Sequence, residues 1–136
     1  MAQIWEPAEF WIGYVEGPCR VDGYVWSGLG LAHHGWGVPA RTTVWSLIHL
    51  GSGSRIGTLV GNVATVFPVA SEVAQCGDFT LFDMPYGWMQ TDPELSAKAR
   101  AVFDAHPEVF PEFDKPMDRA MMDESARAVA RARDAT

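Results

Sequence analysis

Apolar residues in the first sixty positions come in short runs punctuated by glycine and proline. Residues 10–15 (FWIGYV) are aromatic and β-branched and are followed by Gly17-Pro18. Residues 24–34 (YVWSGLGLAHH) form a second run, whose Gly28 and Gly30 suggest a bulge or a close backbone approach. Residues 35–39 (GWGVP) are a loop. Residues 43–50 are apolar on both alternating faces, as a central strand is, and residues 54–60 return after the turn at 51–53. Four strands with short connections predict an antiparallel meander.

From Asn62 the period changes. Val63, Val66, Phe67, Ala70, Val73 and Ala74 recur at helical spacing, with Asn62 as N-cap and Gly77 beyond the end. Pro68 falls inside this pattern and predicts a kink, or a break into two helices. Residues 79–82 are a short apolar run that would serve as a fifth strand. Thr91-Asp92-Pro93-Glu94 combines a capping box with proline at a first helical position. The helix it opens is lined by Leu95, Ala99, Val102, Phe103 and His106 and is stopped by Pro107. Residues 107–116 are an acidic connector, and a last helix spans about 118–133, its acids mainly early and its arginines late. The expected fold is α+β: an antiparallel sheet of four to five strands in the N-terminal half, packed by two to three helices in the C-terminal half. Residues 1–117 would form the domain and residues 118–136 a helical tail with a thin apolar face.

Charge changes the picture more than composition does. The chain of 136 residues has a net charge of −7, unevenly spread. Residues 78–118 carry nine acids and three bases, a net of −6, whereas residues 119–136 carry three acids and four bases, a net of +1. Ten basic residues in all argue against direct nucleic-acid binding and for a basic protein partner. No run approaches a membrane span, and no charged n-region with an apolar core marks a signal peptide. Cys19 and Cys76 form no metal-type spacing, so the expectation is a cytoplasmic protein with reduced thiols.

The glycine turn in TVWSLIHLGSGSRIGTLV invites a catalytic or phosphate-binding reading, and its spacing refuses one. Gly51, Gly53 and Gly57 are one residue too long for the dinucleotide fingerprint, and no lysine precedes Lys98 to complete a Walker loop. Neither Ser52 nor Ser54 has the flanking glycines of a nucleophile elbow. A hairpin in which Gly51 and Gly53 take positive φ is the expectation. His33 and His34 point to opposite sides of a strand, and one of them would face His49 if their strands pair. With Asp78 or Asp83 this would make a three-ligand metal site, but zinc-enzyme motifs are missing, and neither metal nor cofactor is expected.

Two surfaces carry the functional expectations. Trp36 and Trp88 lie in glycine- and proline-rich loops, and the segment 104–118 mixes Glu108, Glu112 and Asp114 with Phe110 and Phe113. Together they predict a non-enzymatic acidic protein that docks on a basic partner, such as an inhibitor competing with nucleic acid for a nucleic-acid-binding protein. His49 itself is expected to be a core histidine bonded to a backbone carbonyl or a serine hydroxyl. The alternatives are a small enzyme with His49 as general base oriented by His34, Asp78 or Asp83, and a structural subunit or homodimer using the C-terminal helix.

Overall fold

The computed structural model describes residues 5–14, 17–34, 44–80, 93–110 and 119–135. Five strands, β1 (Glu6–Tyr14), β2 (Gly17–Trp26), β3 (Leu29–His34), β4 (Val44–His49) and β5 (Ser54–Val60), form one antiparallel sheet in sequence order. The helices are α1 (Val63–Ala74), α2 (Pro93–Ala105) and α3 (Arg119–Asp134). The fold is α+β.

The run at 24–34 is two strands and not one bulged strand. Ser27 and Gly28 both adopt positive φ, +56° and +83°, between the paired residues Trp26 and Leu29. Two consecutive left-handed residues make the hairpin loop whose twist matches the flanking strands. Gly17, with φ of +125°, opens β2 and does not merely end β1. At the turn after β4 only Gly53 takes positive φ, +71°, and its N–H donates to the His49 carbonyl at 2.7 Å. Residues 79 and 80 lie in a turn, and residues 81 and 82 of the expected fifth strand lie outside the described residues.

Strand alternation separates two cores. Leu29, Leu31, Trp45, Leu47 and Leu59 face α1 and α2, packing on Val66, Val69, Val73, Leu95, Ala99 and Phe103. Burying each of these leucines contributes about 1.5–3 kcal/mol. Phe10, Ile12, Ala32 and Ile48 form the second cluster, on the other face. A Cβ at Gly30 would lie 2.7 Å from the Phe10 ring, so this glycine gives the ring its space. Gly13 N–H donates to the Gly53 carbonyl at 2.8 Å, which brings the end of β1 to the turn that opens β5. Helix α3 packs against β1, β2 and β5, burying Ala126 and Val129.

Helix α1 runs unbroken through Pro68. The proline lies little more than a turn from the helix start, where it removes a single bond, to the carbonyl of Ala64, and the burial of Val66, Val69, Ala70 and Val73 offsets that loss. Asn62 caps the helix, its Oδ1 accepting from Thr65 N–H at 3.0 Å.

Replacing Gly28 by alanine forces a left-handed residue to carry a Cβ 2.6 Å from the Phe79 carbonyl carbon. Chemical denaturation should show G28A destabilised by about 1–3 kcal/mol, and an unchanged midpoint would contradict this turn.

Candidate functional site

His49 ends β4 at 1% exposure, and its ring joins segments distant in sequence. Phe79 offers a carbonyl 3.2 Å from Nε2, and a carbonyl can only accept, so Nε2 carries the proton. Nδ1 then accepts from the Ser52 hydroxyl at 2.8 Å. Ser52 is itself fully buried in the glycine turn. The Phe79 N–H donates to the Ser27 carbonyl at 3.0 Å, and the Ser27 hydroxyl donates to the Gly77 carbonyl at 3.0 Å. The ring therefore holds two turns and the exit of α1 together. Both of its nitrogens are engaged within the fold, so a general base presented to substrate gains no support from this geometry. Of the residues that complete the junction, Ser52 was weighed from sequence only as a nucleophile, and Ser27 was not singled out. A serine three positions after a strand histidine was the only local signal.

Asp78, one of the partners proposed for His49, is bonded elsewhere. Asp78 is exposed, and its carboxylate accepts from both the backbone N–H and the hydroxyl of Thr80. Those two bonds hold its pKa below the ordinary aspartate value. The Cα of His34 pairs with Val44, five residues along β4 from His49, or about 16 Å at strand rise. His33 pairs with Trp45, not His49, and its exposed ring lies 4.7 Å from the indole. Among the described residues no three His, Cys, Asp or Glu side chains are grouped to hold a metal ion. Burial pushes the Cys76 thiol pKa up, so it is not activated as a nucleophile.

The expected docking surface is in part displaced. Phe110 is 2% exposed and stacks edge-on against Phe103 at 4.4 Å, in the core beneath β5. Its placement follows from the turn after α2, where Val109 and Phe110 both donate to the His106 carbonyl and Val109 accepts from Val60. Phe110 is therefore not the surface anchor expected from its acidic neighbours, whereas Glu108 is exposed. Trp36, Asp83, Trp88, Glu112, Phe113 and Asp114 lie outside the described residues.

A different acidic and aromatic face appears on β1 and β2. The register pairs Pro7 with Tyr24, Glu9 with Asp22 and Trp11 with Arg20, and alternation puts all six on one side of the ribbon. Glu9 and Asp22 are like charges directly opposite each other, a pairing that costs about 0.2–1 kcal/mol. Arg20 Nε reaches Glu9 at 2.6 Å, with both side chains about half exposed, 52% and 51%. Trp11 and Tyr24 are half-buried, and Tyr24 also meets Phe67 edge-on at 5.1 Å. Reading the first strand from residue 10 had left Glu9 out of it.

No family model, curated protein or solved structure matches this chain.

Removing the Ser52 hydroxyl leaves buried Nδ1 without this donor. S52A should lose about 1–3 kcal/mol of stability, and nitrogen chemical shifts of His49 in the parent protein should report the Nε2–H tautomer. An Nδ1–H tautomer would refute the assigned bonds. Asp78 carries a lowered folded pKa, so its contribution is present above the unfolded pKa and is lost as pH falls through the folded one. A carboxyl titration by NMR should place Asp78 below a free aspartate, and T80V should move it back up.

Proposed function

We propose that this protein is a small non-enzymatic binding protein that docks through carboxylates on a cationic surface of another protein. The distribution of ion pairs carries this reading. Arg20 is bound to Glu9, Lys98 to Glu94, and Arg127 and Arg131 share Glu124. Arg133 donates to the carbonyls of Gly51 and Leu50. Glu6, Asp22, Asp104 and Glu108 are exposed and have no ion pair among the described residues. Among the described residues much of the positive charge is thus engaged internally, while Glu6, Asp22, Asp104 and Glu108 face outward on a chain whose net charge is −7.

A surface of this sign repels nucleic acid and competes with it for a basic groove, so an inhibitor of a nucleic-acid-binding protein is the finer form of the reading. Among the described residues no helix is long and apolar enough to cross a membrane. Both cysteines are free, which suits a cytoplasmic setting. The buried residues of α3 are engaged on the sheet of the same chain, so its apolar stripe lends little to a homodimer.

The test is to recover the partner from the native host at low salt, identify it, and measure its affinity against salt. A basic partner whose Kd weakens by about ten-fold or more between 0.05 and 0.5 M salt is expected. An acidic partner, or association indifferent to salt, would sink the reading.

A further inference from the structure

We propose that the outer face of the β1–β2 ribbon is the docking face, and that it takes an arginine-bearing segment of the partner protein. This rests on the acidic docking reading above and assigns it a place and a chemistry. Three rows run along the face: Pro7 with Tyr24, Glu9 with Asp22, and Trp11 with Arg20. A guanidinium seated on the central row meets two carboxylates, with an aromatic ring on either side along the ribbon. Carboxylates bond its planar fork, and aromatic faces attract its charge, a combination that favours arginine over lysine.

The chain itself shows that the face accepts this group. The Arg20 guanidinium already sits on Glu9 at 2.6 Å. Asp22, directly across from Glu9, is exposed and has no ion pair among the described residues. The face itself carries Glu9 and Asp22 against Arg20, a net of −1. A partner's arginine relieves the like-charge pair that the fold otherwise leaves half compensated. Arg20 thereby becomes an internal competitor for the same carboxylate.

That competition gives a test that a structural role would not reproduce. An acetylated, amidated tetra-arginine peptide is titrated into the full chain at low salt, with amide and indole NMR shifts as the readout. Shifts should concentrate on β1 and β2 and include the Trp11 indole. E9Q and D22N should each weaken the peptide by about two- to five-fold, whereas R20Q should tighten it by a similar factor because it frees Glu9. The double variant D104N/E108Q, on the surface beyond α2, should bind as the parent does. Peptide affinity unchanged in E9Q and D22N but lost in D104N/E108Q would overturn this assignment and leave the docking reading standing. Absence of peptide binding, with the native partner still held in a salt-sensitive manner, would also overturn it. Salt-indifferent association of the native partner is the separate failure of the wider reading.

Discussion

The two hydrogen bonds of the His49 ring settle how the halves of this protein meet. Through them the end of β4 fixes the turn that starts β5 and the backbone that leaves α1. The same backbone is tied to the β2–β3 hairpin by Phe79 N–H and the Ser27 hydroxyl, while Leu50 N–H donates to the Gly28 carbonyl at 3.0 Å. Links between positions thirty and fifty residues apart cost loop-closure entropy, and one buried polar network spreads that cost over several bonds. Apolar packing alone would let α1 slide on the sheet. A ring whose donor and acceptor are both matched admits one placement.

That placement also fixes where charge can go. With α1 and α2 over the central strands, the outward positions of β1 and β2 and the ends of the helices are left to polar groups. Neither α1 nor α2 has a basic residue in its last turn, although the helix dipole favours one there. Glu72 stands in the last turn of α1 and Asp104 in that of α2, so negative charge is added to ends that are already negative. His106 Nε2 lies 2.9 Å from Glu72 and supplies a donor at this point. Acid placed against the dipole, as at Glu72, or against a cross-strand neighbour, as at Glu9, is a local cost that His106 and Arg20 only partly offset, and such costs are where binding surfaces are expected.

Much of the fold could be read from periodicity, because each strand is short and bounded by glycine or proline and each helix has a cap or a stop. The hairpin at Ser27 and Gly28 could not be read in this way. Serine in a left-handed conformation is uncommon, and the apolar residues on either side continue without a break in pattern. Pro68 misled for the opposite reason: a local rule predicted a break that packing overrode. At the candidate site, His49 was visible as a polar residue in an apolar strand, but its partners are a serine in a turn and a backbone carbonyl thirty residues away. A carbonyl has no sequence signature. Phe110 sat among acids and looked exposed, since nothing local reports that a turn at His106 folds it inward beneath β5.

The junction and the ribbon face are separate parts of the molecule. Asp22 lies four residues before the end of β2, about 13 Å from the hairpin turn that joins the His49 network. Its side chain and that of Glu9 are exposed and belong to neither core cluster. Changes at sites this far apart, with no shared partner, act on stability almost independently. The Arg20–Glu9 pair is a half-exposed ion pair of the kind that contributes 1 kcal/mol or less, so exchanging its guanidinium for one from another protein leaves the fold nearly unaffected. An edge ribbon whose charges can be rearranged at small cost to stability, on a sheet held in place by a buried network, can rebind its cations without unfolding.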